Sequence, residues 1–259
     1  MYPSNFRKKI SGSGVALGTS LPSPEPSIAV QTYSCGPDWT WVDTEHCPWD
    51  MGMLYTSLVM GRMSGVAPVV RVPWNTPAEI KRAYDAGAVG VMVPQVDNPE
   101  EAADAVRYAK YPPMGERGLA PWFAQFVGAS GPQVVEHANN ETVLALQMES
   151  AEAWEKIDDT LKVEGFELLI VGPADLSMSY GGKGDVHFGK VENIMTDVVV
   201  KVKRAGKALG STFADPEDCR RWIEAGYNVM NVSSPMALGT VTLKKIFAEL
   251  REEFGVATG

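Results

Sequence analysis

Charged and polar side chains occur where several short apolar runs of this 259-residue sequence end. The four places are Asp43-Thr44-Glu45-His46, Arg71, Gln147-Met148-Glu149 and Gly172-Pro173-Ala174-Asp175. If the runs are parallel strands of one barrel, their carboxyl ends meet at one face and these groups converge. Charges are costly to bury unless they are paired or bind a ligand. The pattern therefore predicts a site for chemistry at that face.

Glu149 and Asp175 are the candidate metal ligands. Because they end neighbouring runs, both carboxylates can reach one hard divalent cation, with water and substrate oxygens completing an octahedron. The expected ion is Mg²⁺, or else Mn²⁺ or Co²⁺. The alternative is structural: Asp175 caps a short helix that starts at Leu176, and Glu149 begins the helix after its strand.

His46 is the candidate general base. Asp43 lies three residues earlier and is expected to hold one ring nitrogen, which leaves the other nitrogen as a base near neutral pH. The alternative is an ordinary loop imidazole. Cys47 follows directly, but neighbouring residues of an extended chain point apart and nothing activates the thiol, so thiol chemistry is not expected.

Arg71 is the candidate group for binding a substrate anion. Its planar guanidinium can donate two parallel hydrogen bonds to a carboxylate. The alternative is an internal salt bridge with one of the nearby acids. Together with Gln147, Gly172, Pro173 and Ala174, it completes the predicted substrate-binding set on these strand ends.

The elements that must position these groups alternate between strand and helix. Eight apolar runs read as strands, at 15–19, 39–43, 67–71, 88–93, 143–149, 167–172, 207–212 and 227–232. Helical segments are predicted at 24–34, 51–63, 77–86, 99–110, 151–162, 190–204, 216–225 and 237–254. Thr76-Pro77, Asn98-Pro99 and Asp215-Pro216 are helix start signals, a capping side chain followed by a proline.

Eight strand-helix units of about 32 residues account for the whole chain, and this alternation predicts a parallel sheet with helical crossovers. An α/β fold of the (β/α)8 TIM-barrel type, as one domain over residues 1–259, is therefore expected. A doubly wound open sheet is the alternative.

Residues 111–140 interrupt the alternation and are predicted to form an active-site insertion loop, since long irregular segments are commonly functional. Within it, Pro121, Trp122 and Phe123 are too apolar for a solvated turn. They are expected to wall the pocket of an acceptor substrate, and Trp122 is included among the substrate-binding residues. The alternative is that Trp122 packs against a neighbouring subunit.

Composition narrows the class of protein. With 45% hydrophobic and 21% charged residues, the chain can bury a full core. A net charge of -9 makes nucleic acid an unexpected partner, and no apolar stretch is long enough to span a membrane. Three widely spaced cysteines suit neither a disulfide framework nor a zinc site. A cytoplasmic setting is the default prediction.

Six motifs together resemble the HpcH/HpaI aldolases of the phosphoenolpyruvate/pyruvate superfamily, in order from about residue 15 to 235. They are VDTEHCP at 42–48, VVRVPWN at 69–75, VPQV at 93–96, YPP at 111–113 with Gly115 and Arg117-Gly118, QME at 147–149, and VGPADLS at 171–177.

The resemblance implies a metal-dependent class II pyruvate aldolase whose metal lies on Glu149 and Asp175. The substrate is then a 2-oxo acid, such as a 4-hydroxy-2-oxo acid or oxaloacetate, which is cleaved to or built from a pyruvate enolate. The resemblance also implies a homohexamer, a dimer of trimers, in which the eighth helix, 237–254, exchanges between subunits.

The sequence departs from the aldolase pattern in a few places. Ala120 replaces the usual glycine after Arg117-Gly118, Pro121-Trp122-Phe123 replaces an Arg-Ala pair, and Cys47 and Trp49 replace smaller or polar residues. Trp41 together with Pro121-Trp122 is similar to the macrophomate synthase branch, in which oxaloacetate is decarboxylated and the enolate adds to a cyclic acceptor. The alternatives to an aldolase are thus an enzyme of that kind, or a barrel that binds a small molecule without turnover.

Overall fold

Eight parallel strands close into a barrel in the computed structural model, which describes residues 5–120 and 130–255. The strands are β1 Ala16–Leu21, β2 Trp39–Asp43, β3 Ala67–Arg71, β4 Gly90–Val93, β5 Val143–Met148, β6 Leu168–Val171, β7 Ala208–Phe213 and β8 Val229–Val232. Each strand pairs with the next along the chain, and β1 pairs with β8 in the register Ala16 to Val229. The predicted (β/α)8 barrel is therefore confirmed, and closure by β1 and β8 excludes the open sheet.

Helices of the described residues surround this barrel. They are α1 Asn5–Ile10, α2 Pro26–Ser34, α3 Met51–Met63, α4 Pro77–Asp85, α5 Pro99–Ala109, α6 Gly131–Glu141, α7 Ala151–Glu155, α8 Ile157–Thr160, α9 Pro173–Ser179, α10 Gly189–Arg204, α11 Pro216–Ala225 and α12 Pro235–Phe254. Two of these, α1 and α6, were not predicted as helices. Helix α9 is the short helix of the structural alternative for Asp175, but it starts at Pro173 rather than Leu176, and its capping residue is Gly172. The helix predicted at 151–162 is two short helices, α7 and α8, that meet at Lys156.

Helices α4 and α5 begin at the capping residues that the sequence predicts. The side chains of Thr76 and Asn98 accept hydrogen bonds from the backbone N–H groups of Glu79 and Glu101, at 3.3 and 2.9 Å. A proline follows each cap, where no N–H partner is needed. These caps fix where α4 and α5 begin and hence where the loops after β3 and β4 end.

Side chains alternate between the barrel interior and the layer under the helices. On β3, Val69 belongs to the interior cluster and Val70 to the outer one. The interior contains the stacked rings of Trp39 and Trp41, with centroids 6.4 Å apart, and Phe6 of α1 stacks on Trp39. The amino-terminal end of the barrel is therefore closed by packing, which leaves the carboxyl-terminal end for a site.

The described part of the predicted loop 111–140 differs from the prediction. Residues 131–140 are helical, within α6, with a capping box at Ser130 and Gln133. Because α5 runs back towards the start of β5, the chain after α5 lies at the amino-terminal end of the barrel. Lys110 there binds Glu167, which precedes β6, at 2.8 Å. This placement does not support an active-site role for the described part of the loop within its own barrel.

Helix α12 has no buried residue. Eight of its large apolar side chains are exposed: Met236, Leu238, Val241, Leu243, Ile246, Phe247, Leu250 and Phe254. Within the part of the chain that is described, no helix is both long and apolar enough to cross a membrane.

Candidate active site

A cavity of about 360 Å³ opens at the carboxyl-terminal end of the barrel. It is lined by Ser20, Pro22, Trp41, Asp43, Arg71, Gln147, Gly172, Pro173, Ala174, Asp175, Val186, Thr212, Ser233 and Ser234. Seven of the predicted site residues are among them: Asp43, Arg71, Gln147 and the four residues from Gly172 to Asp175. The structure thus brings the polar ends of β2, β3, β5 and β6 together.

Arg71 lies at the centre of an ion-pair cluster in this cavity. Its Nε and Nη2 donate to the two carboxylate oxygens of Asp43, at 3.0 and 2.7 Å. Its Nη1 lies 3.0 Å from Oε2 of Glu45, and its Cζ lies 4.9 Å from the ring centroid of Trp41. The salt bridge that the sequence left as an alternative for Arg71 is therefore present.

The pKa values of this cluster keep the pair charged. Burial alone would raise the pKa of Asp43, but the hydrogen bonds and charge of Arg71 outweigh it and hold that pKa below its ordinary value. Burial opposes the charge on Arg71 as well, yet Asp43 and Glu45 raise its pKa. Arg71 is consequently a permanent, well-oriented cation on the cavity wall.

The predicted hydrogen bond between Asp43 and the His46 ring is wrong. Asp43 uses its oxygens for Arg71 and for the backbone N–H groups of Glu45 and His46, at 3.1 and 3.3 Å. The imidazole is 65% exposed, and its Nε2 lies 3.6 Å from Oε2 of Glu45. Asp43 turns towards Arg71 because the two residues are register partners on adjacent strands, so the nearby carboxylate for His46 is Glu45.

Glu149 is the most perturbed carboxyl of the site. Burial, together with the negative charges of Asp175 and Glu45, raises its pKa to about 7. One oxygen accepts the backbone N–H of Gln95 at 2.8 Å, and the other accepts the Gln147 amide. Gln95 has a φ of 51°, a left-handed backbone that is unusual outside glycine and that accompanies this N–H contact with the carboxylate.

The residues present fit a hard divalent cation. Burial and like charges favour the neutral form of Glu149, and a cation would reverse that preference. The side-chain oxygen of Gln147 is buried and has no hydrogen-bond partner among the described residues. A Cβ at Gly172 would lie 2.7 Å from Oε2 of Glu149, so only glycine leaves this carboxylate its space. Glu149 and Asp175 are the residues that could hold the ion.

That donor set is small. In the ranges 5–120 and 130–255, no group of three or more histidine, cysteine, aspartate or glutamate side chains is placed to hold a metal. Two carboxylates are nevertheless a normal protein contribution to a Mg²⁺ site, since this ion keeps several waters and binds substrate oxygens.

Several site residues were missed by the sequence reasoning. Ser20, Thr212 and Ser233 line the cavity from β1, β7 and the end of β8. For Ser20 and Thr212 the signal was available in the period of two along each strand, because Ala16, Gly18 and Ser20 share one face, as do Ala208, Gly210 and Thr212. Glu45 was named among the polar residues after β2 but was given no role, and nothing in its spacing distinguishes it from Asp43.

Other predicted features have a plain outcome. The thiol of Cys47 lies 3.8 Å from Asp43, and its pKa is raised by burial first and then by Asp43, the opposite of activation. All three cysteines are free. Trp122 and its neighbours Pro121 and Phe123 lie outside the described residues, so the acceptor wall stays a prediction.

A closed eight-stranded α/β barrel with charged strand ends around one cavity at its carboxyl-terminal face is the arrangement of a TIM-barrel enzyme. The profile of the HpcH/HpaI aldolase/citrate lyase family matches residues 17–238. The chain belongs to that family.

Named relatives are aldolases. A 2-dehydro-3,6-dideoxy-6-sulfogluconate aldolase of Pseudomonas putida is 36% identical over 222 residues, 86% of this chain and 87% of that protein. A hydroxypyruvate/pyruvate aldolase of Roseovarius nubinhibens is 30% identical over 253 residues, 97% of this chain and 98% of that protein. The prediction of a carbon–carbon lyase is thereby confirmed at the level of the family.

Solved structures agree with this assignment. A HpcH/HpaI aldolase/citrate lyase family protein from Burkholderia cenocepacia J2315 superposes with a TM-score of 0.89 at 31% identity, covering 96% of this chain and 99% of that chain. Macrophomate synthase superposes with a TM-score of 0.85 at 22% identity, over 98% and 92% of the two chains. At that identity the second likeness concerns the fold alone.

Proposed function

We propose that this protein is a divalent-metal-dependent lyase that cleaves or forms the carbon–carbon bond between a pyruvate enolate and a second reactant. The observation that carries the proposal is one cavity whose wall combines a fixed cation, Arg71, with Asp175 and, behind it, the buried carboxylate of Glu149. A 2-oxo acid offers what such a site binds: a carboxylate and a neighbouring carbonyl oxygen. The substrate class also agrees with the names of the relatives.

Arg71 has N–H groups left for the substrate. A guanidinium carries five, and two of them donate to Asp43. Nη1 forms an ion pair with Glu45 at 3.0 Å, but Oε2 of Glu45 accepts no hydrogen bond from the described residues. The remaining N–H groups belong to Nη1 and Nη2, and Arg71 lines the cavity. They would bind the 2-oxo oxygen, where negative charge develops as the enolate forms.

The substrate carboxylate would lie against the start of α9. Pro173, Ala174 and Asp175 form its first turn and line the cavity, and the first N–H groups of a helix have no partner within the helix. Gln147, on the adjacent strand, is the further polar group beside this position.

Glu149 and Asp175 would hold the cation, with Mg²⁺ expected and Mn²⁺ or Co²⁺ as substitutes. When bound, it would supply positive charge beside the 2-oxo oxygen and the carboxylate of the substrate. Gly172 leaves the space that Glu149 needs, and the backbone of Gln95 fixes the direction of its carboxylate.

Proton transfer would fall to His46 with Glu45. In aldol cleavage the hydroxyl proton of the substrate leaves, the bond between C3 and C4 breaks, and its electron pair stays on the pyruvate half as the enolate. C4 and its oxygen leave as the carbonyl group of an aldehyde, C3 of the enolate takes up a proton, and pyruvate is released. His46, exposed on the loop after β2 and 3.6 Å from Glu45, would exchange these protons, through water where contact is not direct.

Incubation with oxaloacetate and with a 4-hydroxy-2-oxo acid, with and without Mg²⁺, tests the proposal. Pyruvate release that requires the metal is expected. Binding of either compound without turnover would support a non-catalytic barrel instead. Formation of a new carbon–carbon product from oxaloacetate and a pyrone, without aldol cleavage, would support the macrophomate-synthase-like alternative.

The predicted homohexamer with an exchanged last helix is part of this proposal. Its support is the exposed apolar surface of α12, since a soluble monomer rarely leaves such a surface uncovered. A second copy of the chain is the expected cover. The cytoplasmic location remains a prediction.

A further inference from the structure

Three polar side chains lie together on the interior of β8, β1 and β7. Asn231 of β8 is register partner of Gly18 on β1 and of Thr212 on β7, and Ser20 follows Gly18 on the same inward face. Asn231 is 1% exposed, whereas Ser20 and Thr212 line the cavity. The two hydroxyls thus lie between a buried amide and the space that holds the reactants.

The amide of Asn231 determines what these hydroxyls can do. Its Nδ2 donates one hydrogen bond to Oγ of Ser20 and one to Oγ1 of Thr212, both at 2.9 Å. A hydroxyl that accepts from an amide still has its own hydrogen to donate. Neither hydroxyl donates a hydrogen bond to another described residue, so both hydrogens are available to a molecule in the cavity.

The charged groups of the cavity limit which chemical group a bound molecule can place beside Ser20 and Thr212. Arg71 is the one cation among the described residues that line the cavity, and it is already paired with Asp43 and Glu45. Two neutral donors in a cavity that is also lined by the carboxylates of Asp43 and Asp175 suit a neutral oxygen better than a second anion, whose desolvation they could not offset.

We propose that Ser20 and Thr212, oriented by Asn231, form a subsite for a hydroxyl group of a reactant. The hydroxyl has two possible sources: C3 of the 2-oxo acid donor, as in hydroxypyruvate, or C2 of the aldehyde, as in glycolaldehyde. The inference rests on the proposed function and adds to it a substrate class, a hydroxylated donor or acceptor.

The test compares reactants that differ by one hydroxyl. The donor pair is hydroxypyruvate and pyruvate with one aldehyde, and the acceptor pair is glycolaldehyde and acetaldehyde with pyruvate. For each pair the ratio of kcat/KM values is measured in the wild type and in Ser20→Ala and Thr212→Val. A hydrogen bond contributes about 0.5–1.5 kcal/mol net, so the ratio for one pair should fall about three- to tenfold in each variant.

The variant Asn231→Asp tests whether Asn231 orients the two hydroxyls or only fills the space between the strands. A carboxylate of nearly the same shape accepts the hydrogens of both hydroxyls and so withdraws them from the cavity. The same ratio should therefore fall at least as far as in the single hydroxyl variants. A role of Asn231 confined to holding the strands together would change thermal unfolding without moving this ratio.

Thr19→Val is the matched control. The Thr19 hydroxyl is one residue from Ser20 but bonds the carbonyls of Val232 and Ser233, at 3.0 and 3.1 Å, and does not line the cavity. Its ratios should equal those of the wild type. If the wild type turns over and both ratios are unchanged in Ser20→Ala and Thr212→Val, the subsite is overturned and the proposed function stands. Absence of wild-type turnover with every reactant would overturn the proposed function and the subsite with it.

Discussion

The guanidinium of Arg71 donates to both carboxylate oxygens of Asp43, through Nε at 3.0 Å and Nη2 at 2.7 Å. The two residues are directly paired across β2 and β3, so backbone register fixes the geometry. The side chains are only 10% and 14% exposed. A buried, bidentate ion pair of this kind holds the remaining N–H groups of Arg71 in constant directions, which favours a binding role over a merely structural one.

Arg71→Lys should not restore function. One ammonium cannot donate twice to Asp43, lie beside Glu45 and donate to a substrate oxygen in the geometry of the planar group. We expect kcat/KM to fall about 100-fold or more for every donor, as when one donor to a developing oxyanion is removed. Arg220→Lys, at an exposed ion pair with Glu217, should behave as the wild type. Equal kcat/KM values in Arg71→Lys and the wild type would assign Arg71 to structure alone.

Metal rather than a Schiff base should support turnover. A Schiff-base aldolase needs a lysine at the cavity, and none lines it among the described residues. Lys207 bonds the carbonyls of Val163 and Phe166 where β7 starts, and Lys110 is buried with Glu167. EDTA should abolish pyruvate release, and borohydride with pyruvate should leave the mass of the chain unchanged. A reduced lysine adduct in the mass spectrum would contradict the metal mechanism.

Glu149 should make the metal-free protein less stable as the pH rises. Its pKa is about 7 in the folded protein against an ordinary 4.5. Between these two pH values, the folded state therefore holds a proton that the unfolded chain has lost. This stabilisation is complete below pH 4.5 and is lost as the pH passes through 7. At 1.36 kcal/mol per pKa unit, it amounts to about 3 kcal/mol.

Glu149→Gln is the reference for this measurement, because its amide cannot ionise. In EDTA, the free energy of unfolding of the wild type relative to Glu149→Gln should fall by about 3 kcal/mol from acid to neutral pH. Urea titrations at several pH values measure it. A difference that stays constant with pH would mean that Glu149 titrates normally.

Gly18→Ala should strain the barrel interior. A Cβ there would lie 2.4 Å from the Trp39 indole, a ring held between Phe6 and Trp41. Overpacking of this kind costs about 1–3 kcal/mol of unfolding free energy, which denaturant titration can resolve. Gly189→Ala is the control, since its Cβ meets no described atom within 4 Å. Equal stability of the two variants would show that the tryptophan moves aside freely.

Charges on α12 should change the assembly. Leu243 and Phe247 are 53% and 50% exposed, and burying a lysine against a second copy would be costly. The double variant Leu243→Lys, Phe247→Lys should give a smaller mass than the wild type in light scattering. Glu252→Lys, on the same helix, alters charge without removing apolar surface and should keep the wild-type mass. An unchanged mass in the double variant would remove this face of α12 from the interface.

Much of the fold was determined by the sequence itself. Short apolar runs alternate with capped helices, and four of the eight runs carry polar residues at the same end. A parallel barrel therefore brings Asp43, Arg71 and Asp175 to one cavity without further information. Local chemistry suffices for this, because strand period, helix caps and the rule that parallel strands share their carboxyl ends depend on neighbours in the chain.

Tertiary structure alone decided which groups touch. Asp43 turned to Arg71 rather than to His46, because strand register places the guanidinium closer than the loop imidazole three residues on. The chain after α5 lies at the amino-terminal end of the barrel, a consequence of helix direction and not of composition. Ser20, Thr212 and Asn231 come from both ends of the chain, and only barrel closure between β8 and β1 joins them. Hydrogen-bond partners depend on ångström distances and side-chain directions, and sequence spacing does not contain either.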